Sequence, residues 1–201
     1  MKILNLYAGI GGNRKLWGEK HEIIAVESNP DIAKIYSDFF PNDKIIISDA
    51  HEFLLNNLDG FDFIWSSPPC QTHSSFRKNI CVRFRGTKPK YPDMTLYEEI
   101  LLLMHHAKCK WVVENVMPYY TPLIKAQQVQ RHLIWSNFMI KSNYKGVDNI
   151  RKSQIPDLEK KYGFDLSMYK LKNKRQILRN CVDPQIGLDI LISFLYTKQF
   201  N

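Results

Sequence analysis

The chain has 201 residues, 44% of them hydrophobic and 24% charged, with a formal net charge of +8. That length suits one domain with a sizeable core, and the balance excludes a disordered chain. A positive excess of this size favours a polyanionic partner, nucleic acid before anionic membrane, and no apolar run approaches the ~18–20 residues of a membrane span.

Ile3–Leu6 is an apolar run ending in a glycine-rich turn and predicts a buried strand. A helix is expected over Asn13–Lys20 and a second strand over Glu22–Val26. Asn29-Pro30 opens a helix through Phe40, with proline at an early helical position. A third strand, Lys44–Ile47, precedes a short helix, His51–Leu58. Phe61–Ser66 is the fourth strand, stopped by Pro68-Pro69. Met94–Lys108 carries apolar residues at helical spacing. Trp111–Glu114 and His132–Trp135 predict two more strands, and Ile186–Tyr196 a closing amphipathic helix. Short alternating units with continuously apolar strands predict an α/β fold: a mostly parallel sheet with helices on both faces. Residues 1–140 and 176–201 form this domain. Residues 141–175 are polar, basic and weakly periodic, so a short insertion is expected there.

Two segments hold the positive excess. Residues 72–92 contain six basic side chains (Arg77, Lys78, Arg83, Arg85, Lys88, Lys90) and no acidic one; residues 141–179 contain 11 basic and 4 acidic. Either could be a solvated lysine-rich loop. Interleaved aromatics (Phe76, Phe84, Tyr91; Tyr144, Tyr162, Tyr169) favour a surface that contacts phosphates. The cysteines, Cys70, Cys81, Cys109 and Cys181, form no C-x-x-C pair, which excludes a zinc ribbon. A reduced, cytoplasmic protein without a metal is expected.

The first turn reads Tyr7-Ala8-Gly9-Ile10-Gly11-Gly12-Asn13-Arg14. A dinucleotide fingerprint would need glycine at position 14, and a P-loop would need G-K-[ST]. Glycine still lets a ligand approach the backbone closely. Glu27 and Asp49 end the second and third strands, placed for ribose hydroxyls and an adenine amino group. The ligand would carry a nucleoside and need no phosphate. Strand four ends in Ser66-Ser67-Pro68-Pro69-Cys70-Gln71 and strand five in Glu114-Asn115-Val116. A lone cysteine is usually a small hydrophobe filling a loop, and a strand-end glutamate usually a surface carboxylate. Here two prolines stiffen the loop before the thiol, and the carboxylate emerges from a very apolar strand. A thiol and a carboxyl group facing one cleft are expected.

In this order, these motifs resemble the cytosine carbon-5 DNA methyltransferase family: the glycine turn, Glu27, Asp49, Pro69-Cys70-Gln71, Glu114-Asn115-Val116, Arg131 before a strand, and Asn180-Cys181-Val182-Asp183-Pro184. The short length is similar to compact phage or prophage members. The resemblance implies the Rossmann-like fold of S-adenosylmethionine-dependent methyltransferases. It implies Cys70 as nucleophile, Glu114 as the group at ring nitrogen 3, with a raised pKa, and Arg131 on the carbonyl oxygen of cytosine. S-adenosylmethionine would meet Tyr7, Ala8, Gly9, Gly11, Gly12, Glu27, Asp49, Ala50, Pro69, Asn180 and Val182. Double-stranded DNA with a flipped cytosine would meet Pro69, Gln71, Asn115, Val116, Arg77, Arg83 and Arg85. A restriction endonuclease is one partner the family admits. Segment 141–179 falls where the family places target recognition, in reduced form.

The chain also departs from the family pattern. Val129 replaces the first arginine of the pair before the strand, and Arg179 and Cys181 replace a glycine and a serine. An RNA cytosine-5 methyltransferase, and a DNA-binding protein that has lost catalysis, are the competing readings. The second would lack Cys70 or Glu114, and both are present.

Overall fold

A computed structural model describes residues 1–142, 144, 146 and 152–198. Its strands are β1 (Lys2–Leu6), β2 (Glu22–Glu27), β3 (Lys44–Ile47), β4 (Phe63–Ser66), β5 (Lys110–Val116), β6 (Gln127–Val129) and β7 (His132–Ser136). They form one seven-stranded sheet in the order β3-β2-β1-β4-β5-β7-β6. The first five are mutually parallel; β7 runs antiparallel to both β5 and β6. The α-helices are α1 (Pro30–Phe39), α2 (Ala50–Asn56), α3 (Thr95–His106), α4 (Ile155–Tyr162), α5 (Lys174–Asn180) and α6 (Pro184–Lys198), and a π-helical turn spans Arg77–Val82.

Alternation along the strands sorts the core onto two faces. Ile3, Ile23, Phe63, Trp65, Val112 and Ile134 pack beneath Ile186, Ile190 and Phe194 of α6. Leu4, Leu6, Ile64, Val113 and Leu133 point the other way, onto Leu54 of α2 and Ile100 and Leu103 of α3. Helices therefore cover both faces, as the continuous apolar strands require. A third cluster joins Ala8 and Ile10 of the first turn to Tyr36 of α1, Leu158 and Tyr162 of α4, and Ile177 and Leu178 of α5.

Most strand and helix positions agree with the sequence pattern, and the differences have physical causes. The expected helix at Asn13–Lys20 is a series of turns. Asn13 donates its side-chain amide to buried Asn5 Oδ1 (2.8 Å), and Arg14 turns inward to Asp43 (2.8 Å) and the Phe40 ring. Gly18 adopts a positive φ, which ends any helical run. Strand β6 is an addition, paired with β7 across a turn at Gln130-Arg131. The described part of 141–175 contains α4, capped by a Gln154–Asp157 box with Pro156 in its first turn. This segment is basic outside and apolar inside: Leu158, Tyr162, Phe164 and Leu166 are fully buried.

Parallel order brings the carboxyl ends of β1, β2, β4 and β5 to one edge of the sheet. Because β7 is antiparallel, its first residue arrives at that same edge, with His132 opposite Val116. Ligands of such sheets sit beyond this edge. No helix among the described residues is long and apolar enough to cross a membrane.

Candidate active site

A cleft of about 900 Å³ opens at that edge. Its floor is the first turn, Tyr7–Ile10 with Gly12 and Asn13; Pro68–Gln71 and Glu114–Val116 form one wall; α5 and the following loop form the other. Gly11 does not line it. Its φ is +87°, and a Cβ there would run into the Phe40 ring, so this glycine shapes the turn from behind. Gly12 faces the loop after α5: a Cβ there would lie 2.7 Å from the Val182 carbonyl oxygen.

Glu27 is held at the cleft by the backbone. One carboxylate oxygen accepts the Gly9 N–H (3.0 Å), the other the Asn29 N–H (2.9 Å). Both oxygens keep lone pairs for a hydroxyl-bearing ligand. Asn180 and Val182 line the cleft across from the glycine turn. Asp49 instead N-caps α2, accepting the Glu52 N–H (3.0 Å). Asp49 and the buried Ala50 do not line the cleft.

Cys70 lies in the loop after β4. Asn115 fixes that loop by donating its side-chain amide to the Pro68 carbonyl (2.9 Å). Burial pushes the Cys70 thiol up to about 11; the Glu114 charge pushes the same way, and Arg131 opposes it. Glu114 is 5% exposed. One carboxylate oxygen meets His132 Nδ1 (2.5 Å), and the other accepts from the Ser67 hydroxyl (2.9 Å). Ser67 in turn accepts from Trp65 Nε1 (2.8 Å). The expectation of a raised Glu114 pKa is therefore corrected. Burial raises it, but the charge and hydrogen bond of His132, the Ser67 hydroxyl and Arg131 outweigh burial and hold the carboxyl below its ordinary range.

Arg131 lines the cleft beside Glu114, from the turn between β6 and β7. Gln130 adopts φ 54° in that turn and donates its side-chain amide to the Tyr144 and Gly146 carbonyls (3.1 and 2.9 Å). Arg77 lines the cleft; Arg83 and Arg85 are exposed and lie outside it. Lys172, Arg175 and Arg179 line the opposite wall, and the Arg179 guanidinium sits over the Phe76 ring at 5.9 Å. The two basic segments thus meet at the mouth.

Sequence reasoning missed His132, Ser67 and the basic wall of α5. Only the wall had a signal, the charge of 141–179. The His132–Glu114 contact depends on the β5–β7 register, which the sequence does not carry.

A mostly parallel α/β sheet thus gathers a thiol, a carboxylate and an arginine in one cleft at its carboxyl edge. The C-5 cytosine-specific DNA methylase model matches residues 1–153, so the chain belongs to that family. Among solved structures, it is similar to DNMT2 of Spodoptera frugiperda, at 26% identity over 57% of this chain and 35% of that one, with a TM-score of 0.38. It is also similar to a putative DNA modification methyltransferase from an Escherichia coli prophage, at 18% identity over 60% and 33%, with a TM-score of 0.39. A Thermus hypothetical protein is similar at 14% identity over 67% and 73%, with a TM-score of 0.47. The chain spans about a third of the first two proteins. No curated protein matches it.

Proposed function

We propose that this protein transfers a methyl group from S-adenosylmethionine to carbon 5 of cytosine in DNA, by covalent catalysis through Cys70. The observation that carries the reading is the gathering of Cys70, Glu114 and Arg131 in the same cleft as the glycine turn and Glu27.

The donor set fits the cofactor. Glu27, oriented by two backbone N–H groups, suits ribose hydroxyls, and the Gly9–Gly12 turn allows close approach. Asn180 and Val182 would flank the methionine portion. S-adenosylmethionine bound there supplies an electrophilic methyl group.

Cys70 acts as nucleophile. Its thiol gives its proton to solvent, the resulting thiolate forms the bond to carbon 6 of the ring, and the displaced electron pair makes carbon 5 nucleophilic. In its protonated form, Glu114 delivers its proton to ring nitrogen 3, which takes up the developing charge. Arg131 holds the carbonyl oxygen. After methyl transfer, water in the cleft takes the proton from carbon 5, that C–H electron pair re-forms the ring double bond as the bond from sulfur to carbon 6 breaks, and Cys70 is restored. A cytosine within a duplex cannot reach Cys70, so the base must swing out. Arg77 and the basic wall of α5 are placed to hold the backbone of that nucleotide. The description of the matched family and the two basic segments support DNA as substrate.

The test is covalent trapping with S-adenosylmethionine and DNA carrying 5-fluorocytosine. Fluorine cannot leave as a proton does, so an adduct at Cys70, absent in Cys70→Ser, is expected. Trapping on fluorinated RNA but not DNA would reassign the substrate. Trapping on neither would overturn the reading.

A further inference from the structure

Glu114 shares its site with a side chain that the mechanism above does not use. His132 is 3% exposed, and its Nδ1 lies 2.5 Å from Glu114 Oε1. Its Nε2 is buried without a hydrogen-bond partner among the described residues. A contact this short between a ring nitrogen and a carboxylate oxygen requires a proton between them, donated by Nδ1 to Glu114. Neighbouring elements bring the other groups that face the pair: Ser67 and Cys70 from the loop after β4, Arg131 from the turn before β7.

We infer that His132 is a positioning residue for methyl transfer: it fixes the Glu114 carboxyl through Nδ1 and retains at the pair the proton that Glu114 delivers to ring nitrogen 3. This inference rests on the proposed cytosine chemistry. The proton count is simple. With one extra proton, the pair is imidazolium and carboxylate, or imidazole and carboxylic acid. Moving that proton across the short contact breaks its bond to Nδ1 and forms one to Oε1. Delivery breaks the bond to oxygen and forms one to the ring nitrogen. When Cys70 leaves carbon 6, the ring nitrogen returns the proton to the pair. Ser67 cannot play this part, because its hydroxyl lies far from titration at any pH the fold survives. It only fixes the second oxygen.

Two measurements test the role. The first needs no turnover. Nitrogen-15 NMR of histidine-labelled protein should show Nδ1 of His132 protonated, with its signal displaced in Glu114→Gln. An unprotonated Nδ1 overturns the inference, whatever the substrate proves to be. The second is single-turnover methylation across pH with His132→Asn, whose amide keeps a donor near Nδ1 but cannot exchange that proton with Glu114. The expected loss is about 10–100-fold in the chemical step, with cofactor affinity retained. The pH dependence of the rate should differ from that of the wild type, because Glu114 has lost its proton partner at Nδ1. A wild-type rate and pH profile in His132→Asn would overturn the role. If His132→Asn does not fold, His132→Gln makes the same comparison. Failure of wild-type protein to trap any fluorinated base would strike the cytosine chemistry itself and leave the NMR result standing.

Discussion

At the scale of single residues, the site sets two ionisations against each other. Glu114 is held as a carboxylate, and its charge adds to burial in pushing the Cys70 thiol up to about 11. In the free protein at pH 8, Cys70 is a thiol, so its alkylation should be at least roughly tenfold slower than that of an ordinary thiol with a pKa near 8.5. Mass mapping of iodoacetamide adducts checks this, and the rate should climb with pH towards 11. Glu114→Gln removes the repelling charge. It should speed alkylation of Cys70 while slowing methyl transfer by roughly 10²–10⁴-fold. Opposite signs in one variant would separate the carboxylate's electrostatic effect on sulfur from its work on the base. Equal signs would point to a disturbed loop.

At the scale of elements, local signals and their placement part company. Asn29-Pro30 announces α1, and Asn29 caps it by accepting the Asp31 and Ile32 N–H groups. Asn29→Ala should therefore cost about 1 kcal/mol, read as a shift in the urea midpoint. The effect should reach the site, since Asn29 also donates its own N–H to Glu27. Strands β1 to β5 are legible because continuous apolar runs between turns leave few alternatives. The Asn13–Lys20 stretch reads as helix because its pattern takes no account of Arg14, which the fold buries against Asp43. Cys70 and Glu114 are legible because each sits at the end of a recognisable strand. His132 is not, because the pairing register between β5 and β7 decides which residue of β7 lies beside Glu114. The three-residue β6 has too little pattern to register at all.

At the scale of the whole molecule, charge and hydrophobic burial share the same segments. The second basic segment places Leu158, Tyr162, Ile177 and Leu178 in the core while Lys172, Arg175 and Arg179 line the cleft. DNA affinity should fall steeply with salt, by a slope of about 0.9 for each phosphate neutralised. Arg83→Ala with Arg85→Ala should make that slope shallower, because fewer phosphates are neutralised, and should leave the fold unchanged, because both side chains are exposed. Binding titrations at several salt concentrations give the slope directly.

The cluster that joins α4 and α5 to Ala8 and Ile10 makes the basic wall of the cleft continuous with its glycine-turn floor. Two ligands that tighten one packed unit are thermodynamically linked. Each should raise the other's affinity by the same factor, since linkage is reciprocal. S-adenosylhomocysteine should accordingly bind more tightly with DNA present, and DNA more tightly with S-adenosylhomocysteine, to equal degrees by calorimetry. Such linkage would let the protein dwell longest on the base it is ready to modify.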